Sequence, residues 1–199
     1  MKRTWLLAAA IAGATAVGSG AATLALFTAQ SDPAAANLTA GTLELAGDRD
    51  QGDTVPGPMF YTTQAEGMVG GAVDAIFPTG YWAPGDSHTR VFQIENIGTL
   101  DAKLMSLGAT LQSPDNAMPD ILDVTVYSDA TESEVLYSGK LRALLGAPAD
   151  MTAPVELASG DMASLHYEVT MPLSAGNDYQ GLPLVVTFYV NAEQLANNP

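Results

Sequence analysis

Short runs of alternating apolar and polar residues recur along the chain after residue 37, separated by Gly, Pro, Asn and Asp. No window longer than about ten residues repeats convincingly with the helical period of 3.6. A period of two is typical of strands that bury one face and expose the other. We therefore expect an all-β protein, an antiparallel β-sandwich with a long loop region and at most short helices.

Seven of these runs are predicted to be strands: residues 42–46, 88–96, 102–111, 122–128, 155–158, 163–171 and 184–192. In the sixth run, Leu165, Tyr167 and Val169 face one side, whereas His166 and Glu168 face the other. Seven strands at this spacing fit two packed antiparallel sheets.

Two stretches interrupt the alternating pattern. Residues 47–85 contain scattered glycines and prolines, and they are predicted to form a large loop or an insertion with a weak hairpin. Between residues 139 and 147, Leu141, Leu144 and Leu145 have the spacing of one or two helical turns. We expect these turns to cross an end of the sandwich.

The amino-acid composition limits what the chain can bind. Hydrophobic residues make up 47% of the 199 residues and charged residues only 15%, which suits one packed domain. Acidic residues outnumber basic ones 22 to 7, whereas nucleic acid and anionic lipid both require a basic surface. Because cysteine is absent, disulfides and thiol chemistry are excluded, and burial and strand pairing must hold the fold.

The N-terminus has the pattern of a secretory signal. Two basic residues precede an uncharged apolar stretch, and small residues follow it. We expect residues 1–25 to be a signal peptide that is cleaved between Ala25 and Leu26, so that the mature protein is secreted. Cleavage after Ala22, or retention of the segment as a membrane anchor, is the alternative.

No catalytic motif is recognisable in the sequence. His88 and His166 lie in separate strands on predicted solvent faces, without the helical His-Glu-x-x-His pattern of zinc peptidases. A metal site that joins both histidines to a carboxylate across strands is conceivable. Residues 48–53 hold three aspartates, but Met59 stands where a calcium loop wants a glutamate, so an acidic turn is preferred. We predict no catalytic residue, metal ligand or cofactor.

Two turn motifs flank the second predicted strand. The sequence Pro84-Gly85-Asp86 predicts a rigid turn that leads into this strand. The sequence Asn-Ile-Gly-Thr-Leu at residues 96–100 predicts the turn to the next strand.

Four sequence elements, in order, resemble the camelysin and TasA family. They are a signal that ends in Leu26-Phe27 with Ala40-Gly41-Thr42-Leu43-Glu44-Leu45 after it, then Pro84-Gly85-Asp86, then Phe92-Gln93-Ile94-Glu95-Asn96-Ile97-Gly98-Thr99-Leu100, and finally Asn177-Asp178-Tyr179-Gln180-Gly181 with Phe188, Ala192 and Gln194. The likeness covers nearly the whole chain, whose length is closer to that of camelysin than to that of TasA.

The resemblance implies a jelly-roll-like sandwich, export through a dedicated signal peptidase, and assembly into extracellular fibres of a biofilm matrix. The expected partners are further copies of the chain, the signal peptidase, and a minor protein that anchors or assembles the fibre, but no nucleic acid. The expected location is the extracellular matrix or the cell surface. The family also carries a metallopeptidase label, so a secreted metallopeptidase and a monomeric surface adhesin or binding module are alternative functions.

The segment from Leu26 to Gly41 is the predicted means of polymerisation. Besides Leu26 it carries Phe27 and Leu38, and it is too short and too rich in alanine to form a domain, so it needs a partner surface. An extended peptide can add to a sheet edge of another copy by donor-strand complementation, which makes a head-to-tail contact. Residues 42–199 then form a single sandwich domain. Alternatively, the segment folds back as the first strand of its own sandwich.

Overall fold

The computed structural model describes residues 41–49, 58–63 and 78–195. These residues form nine strands and two short helices, with one turn of 3-10 helix at Asn177–Tyr179. The strands are β1 (Leu45–Arg49), β2 (Phe60–Tyr61), β3 (Ser87–Asn96), β4 (Ala102–Leu111), β5 (Asp123–Tyr127), β6 (Val135–Lys140), β7 (Ala149–Leu157), β8 (Met162–Thr170) and β9 (Val185–Gln194). The helices are α1 (Met118–Ile121) and α2 (Leu141–Gly146).

The strands form two antiparallel sheets that share one hydrophobic core. The five-stranded sheet has the order β1-β3-β8-β5-β6, and the four-stranded sheet has the order β2-β9-β4-β7. Folding the chain at the β5–β6 hairpin brings β4 against β7, β3 against β8 and β2 against β9. This nested pairing is that of a jelly roll, to which β1 adds an extra strand beside β3. The expected all-β sandwich with at most short helices is confirmed.

The centre of the five-stranded sheet follows the predicted alternation. Nine consecutive residue pairs of β3 and β8 are in register. Leu165, Tyr167 and Val169 are buried, whereas His166 and Glu168 on the other face are partly exposed. One face of this sheet is therefore apolar along its length, and that face covers the core.

Aromatic rings join the two sheets across the core. The ring centroids of Tyr167 and Phe188 lie 4.6 Å apart, and Phe60 packs edge-on against Phe188 at 5.8 Å. Leu104 and Leu107 of β4 are fully buried beside them. Each such side chain contributes about 1.5–3 kcal/mol on burial, which is the main stabilising term in a chain without disulfides.

Strand β6 was not predicted, and β7 is longer than the predicted run of residues 155–158, for two different reasons. A register shift in the β5–β6 pairing leaves both Leu136 and Tyr137 buried, although they are adjacent in sequence. Strand β7 begins at Ala149, six residues before the predicted run. Its earlier residues also alternate, but Pro154 stands among them, and proline is disfavoured inside a strand. The predicted helical turns are confirmed as α2, in which Leu141 and Leu144 are buried.

The long irregular stretch contains one strand that pairs far away in sequence. Phe60 and Tyr61 form β2 and pair with Val186 and Val185 of β9. Within the stretch itself, the Thr79 amide donates to the Tyr61 carbonyl at 2.8 Å and the Thr63 amide donates to the Gly80 carbonyl at 3.2 Å, so residues 61–63 and 79–80 also pair locally. Residues 50–57 and 64–77, which include most of the acidic turn, lie outside the described residues.

Candidate functional site

Only one residue of the predicted polymerisation segment lies among the described residues. Ala25, Leu26, Phe27 and Leu38 lie outside them, so the cleavage position and most of the segment stay predictions. Gly41 is described and lies against the side chain of Leu100, so closely that an added Cβ would overlap it. The segment therefore joins the sandwich at the turn between β3 and β4.

Residues 41–44 are fastened to that turn by hydrogen bonds. The Gly98 amide donates to the Glu44 carbonyl at 3.1 Å, and the Leu100 amide donates to the Thr42 carbonyl at 3.1 Å. The Thr42 amide in turn donates to the Thr99 hydroxyl at 2.9 Å. These bonds explain why β1 starts at Leu45 and not at residue 42 as predicted: the preceding residues bind the turn and not a strand. We call residues 41–44 with the turn 96–100 the N-terminal anchor.

Asn96 organises this anchor from inside the protein. Its fully buried side chain donates to the carbonyls of Leu100 at 2.9 Å and Leu157 at 3.0 Å, and it accepts from the Gly98 amide at 3.1 Å. The Ser159 hydroxyl also donates to the Gly98 carbonyl at 2.7 Å. The anchor is thus linked to the ends of β3 and β7, and its position relative to the sandwich is fixed.

The Pro84-Gly85-Asp86 turn forms at the opposite end of the same sheet. The Asp86 carboxylate accepts from the Ala83 amide at 2.7 Å, and Gly85 has a φ of 95°, which favours glycine. The Gly85 amide also donates to the Met171 carbonyl at 2.8 Å, which ties the turn to the end of β8. We call the end with the N-terminal anchor the anchor pole and the end with this turn the far pole.

Exposed apolar side chains occur at both poles. At the anchor pole, Ile97 is 48% exposed and Met162 is 58% exposed. At the far pole, Tyr81 is 70% exposed and Leu173 is 84% exposed. Large apolar groups in water at opposite ends are compatible with contacts between molecules placed end to end.

The side of the sandwich formed by β6 and β7 is poorly suited to strand addition. The pairing of β7 with β4 is irregular between Val155 and Asp150, and Pro154 within this part lacks an amide to donate. The Thr152 hydroxyl donates to the Val135 carbonyl, so β7 is tied to the edge of β6 in the other sheet. Bulges and prolines of this kind prevent another strand from pairing there.

Strand β1 forms the opposite edge of the five-stranded sheet. It pairs with β3 from Leu45 to Arg49, and no described strand pairs with its other side. Gly47 lies over the ring of Phe92, where a larger residue would collide with the ring. The first strand is therefore an edge strand that directly follows the N-terminal anchor.

The two histidines lie on opposite faces of the five-stranded sheet. His88 is in register with Val169 and faces the core, with its ring centroid 4.7 Å from that of Trp82. His166 is in register with Val91 on the outer face. The prediction that both lie on solvent faces is wrong for His88, and the sheet separates them, so they cannot share a metal ion.

Burial lowers the pKa of the His88 imidazole below its ordinary value of 6.5. This effect is larger than that of the nearby Asp86 carboxylate, which raises the pKa. The described residues contain no group of three His, Asp or Glu side chains placed to hold a metal ion.

Neither the protein-family models nor the curated proteins with which the chain was compared match it. Among the described residues, no helix has the length and apolar character needed to span a lipid bilayer.

Proposed function

We propose that the chain is a secreted structural subunit that polymerises head to tail into extracellular fibres of a biofilm matrix. In this proposal the segment from Leu26 to Gly41 of one copy complements a sheet edge of the next. The observation that carries the proposal is the N-terminal anchor, because it fixes the point at which the segment leaves the sandwich at one pole.

The anchor suits a donor segment for a mechanical reason. The hydrogen bonds from Gly98 and Leu100 to residues 42–44 transmit a pull on the segment directly into the sandwich. Asn96 connects the same turn to β7, so load is shared between both sheets. A segment held in this way supports an end-to-end contact that does not close on itself, which produces a filament.

The alternative functions receive less support from the same geometry. A metallopeptidase that uses both histidines is disfavoured, because His88 faces the core and His166 faces the outside of the sheet. A monomeric adhesin needs no anchored N-terminal segment and no exposed apolar groups at both poles. Neither alternative accounts for the way in which residues 41–44 are fastened.

The test compares three forms of the protein by electron microscopy and sedimentation. One form begins at Leu26, the second begins at Thr42, and the third carries a bulky tag ahead of Leu26. We expect filaments from the first form and soluble monomers from the other two. Filaments of equal length from the form that begins at Thr42 would rule out the segment as donor.

A further inference from the structure

A groove lies where helix α2 packs against the last residues of β4. It has a volume of about 480 Å³, and Tyr189 of the neighbouring strand β9 lines it together with residues of β4 and α2. Ser113, Asp115 and Arg142 also contribute to the lining, so the groove is mainly polar. We call it the Tyr189 groove. Its volume is in the range of sites that bind small molecules.

The ring of Tyr189 lies across β4 on the outer face of the sheet. Tyr189 is in register with Gly108, and it faces outwards because its neighbour Phe188 is buried in the core. The end of the ring lies over Gly108, where an added Cβ would overlap the ring atoms. The side chain is still 36% exposed, so the groove has an aromatic surface open to a ligand. The face of such a ring is partly negative and attracts polarised C–H groups.

Arg142 is held in a fixed position at the groove. Its Nε and Nη2 each donate to Asp120 at 3.0 Å, and Nη2 also donates to the Asn116 carbonyl at 2.8 Å. Its Nη1 donates to Asp115 at 2.8 Å. A guanidinium has five N–H groups, and these bonds use four of them. Within the part of the chain that the structure describes, nothing accepts from the fifth, which belongs to Nη1.

Asp115 places an acceptor beside that donor. It bonds to Arg142 through Oδ1, and its side chain is 70% exposed, so Oδ2 can accept from a ligand. A fixed donor next to a fixed acceptor matches two adjacent hydroxyl groups, of which one accepts and the other donates.

Ser113 adds a buried hydroxyl to the lining. Its oxygen accepts from the Val185 amide at 3.2 Å. Among residues 41–49, 58–63 and 78–195, no group accepts the proton of this hydroxyl, although a buried donor is usually satisfied. The proton is therefore available to a ligand oxygen in the groove.

We propose that the Tyr189 groove binds a neutral hexopyranose unit of a polysaccharide. The C–H groups on one face of the sugar ring rest on Tyr189, and two adjacent hydroxyls bond to Asp115 and Arg142. The ligand class follows from the combination of groups, because a pyranose ring carries an apolar face and neighbouring hydroxyls in one small molecule.

The charge of the site favours a neutral sugar over an acidic one. The positive charge of Arg142 is outweighed by those of Asp115 and Asp120, and the whole chain has a formal charge of −15. An acidic sugar is repelled by this surface. The groove lies at the end of β4 remote from the N-terminal anchor, so the inference does not depend on whether the chain polymerises.

Saturation-transfer difference NMR tests the ligand class. The method detects binding to single molecules and to large assemblies alike, so the secreted protein is used in the state in which it is isolated. The probes are cellohexaose and mannohexaose, which are neutral, and hexagalacturonate, which is acidic. We expect transfer to ring C–H protons of at least one neutral hexamer, and a Kd for hexagalacturonate that is higher by at least about tenfold.

Variants test the placement of the sugar. Tyr189→Ala should raise the Kd of the neutral hexamer by at least about tenfold, whereas Tyr189→Phe should stay within about twofold because the ring remains. Asp115→Asn should raise the Kd about fivefold, because a charged acceptor is replaced by a neutral one. Tyr81→Ala removes an exposed ring at the far pole and is the matched control, with a Kd within about twofold of the wild type.

Three results would overturn the inference. The first is the absence of transfer to both neutral hexamers at millimolar concentration, and the second is hexagalacturonate binding as tightly as either of them. The third is an unchanged Kd in both Tyr189→Ala and Asp115→Asn. If Tyr189→Ala fails to fold, Asp115→Asn decides alone, because its exposed side chain is not part of the core.

Discussion

Asn96 is the residue on which the N-terminal anchor depends most. Its side-chain amide satisfies three backbone groups, two in its own turn at Gly98 and Leu100 and one at Leu157, the end of β7. A buried polar group that loses its hydrogen-bond partner destabilises the fold by more than a typical hydrogen bond stabilises it. Substitution of Asn96 should therefore be strongly destabilising. A polar residue that shares a face with Phe92 and Ile94 was the sequence signal for this role, although it first suggested only a turn.

We predict that Asn96→Ala lowers the free energy of unfolding by about 2–4 kcal/mol, because the Leu100 and Leu157 carbonyls lose the donor that Asn96 supplies. The Gly98 amide keeps its bond to the Glu44 carbonyl. Urea denaturation followed by tryptophan fluorescence measures this loss. Gln93→Ala on the outer face of the same strand is the control and should change the value by less than about 0.5 kcal/mol. Equal effects of both substitutions would show that the buried amide is not important.

His88 should make stability depend on pH. Burial favours the neutral imidazole and lowers the folded-state pKa, so the unfolded chain takes up the proton first as the pH falls. The stabilising contribution is fully present above the unfolded pKa of about 6.5 and is lost as the pH falls towards the folded value. We expect the wild type to lose more stability than His88→Phe between about pH 8 and about pH 5.

Urea denaturation of both proteins at each pH measures this difference. The carboxylates titrate in both chains, so the difference between the two proteins isolates the histidine. If both proteins lose the same stability as the pH falls, the neutral His88 side chain beside Trp82 contributes nothing to the free energy of unfolding.

At the scale of elements, the pairing of β4 with β9 includes an unusual pair of residues. Gly108 lies opposite Tyr189, and the tyrosine ring covers it so closely that a Cβ on Gly108 would overlap the ring. The ring is held over the strand because glycine leaves room for it. Glycine is therefore required here for packing and not for a special backbone conformation.

We predict that Gly108→Ala destabilises the protein by about 1–3 kcal/mol, because the tyrosine ring must move. Adding Tyr189→Ala should remove most of that penalty, so the two substitutions should be far from additive in a double-mutant cycle. Gly146→Ala is the control, since no atom lies within 4 Å of the added methyl group. Additive effects of Gly108→Ala and Tyr189→Ala would contradict this packing.

Alternation in the sequence explains some of the correct strand predictions. Strand β8 is predicted to within one residue, and its buried and partly exposed positions alternate. Strand β4 is predicted with its observed bounds, although its four residues 106–109 are all buried. Strand β6 was missed because a bulge buries the adjacent Leu136 and Tyr137, and β2 because two residues carry no period. His88 is in register with the buried Val169 and so faces inward. A polar residue near a strand end favours a solvated face, so its sequence context predicts the wrong side.

The candidate site was harder to predict than the fold. The anchor residues Gly98 and Leu100 were recognised as a turn, but the bonds that bind residues 42–44 join parts of the chain more than 50 positions apart. Where β7 ends relative to β4 is likewise a property of register. Neither propensity nor alternation in one strand contains that information.

At the scale of the whole molecule, the charge opposes self-association. The full chain has a formal charge of −15, and the proposed removal of residues 1–25 would take two of the seven basic residues and none of the 22 acidic ones, which gives 5 − 22 = −17. Copies with this charge repel one another over the distance at which salt does not screen them. Any assembly of the mature chain must overcome that repulsion.

We predict that raising NaCl from roughly 0.01 M to roughly 0.15 M lowers the critical concentration for filament formation, because the Debye length falls from about 30 Å to about 8 Å. Light scattering over a range of protein concentrations measures this threshold. Sodium sulfate at equal ionic strength should have a similar effect if screening is the cause. A threshold that rises with salt would instead indicate that attractive charge pairs drive the contact.

The nested pairing of the jelly roll also determines when the chain can fold. Strand β9 lies between β2 and β4, and β8 lies between β3 and β5, so the last strands to be synthesised occupy central places in both sheets. The pairing of Phe60 with Val186 joins residues that are 126 positions apart, so β2 cannot pair with β9 until the last strand has been synthesised. Pairs so distant in sequence form slowly. A chain that leaves a ribosome or a translocation channel with its N-terminus first therefore cannot complete either sheet until its C-terminal segment is free.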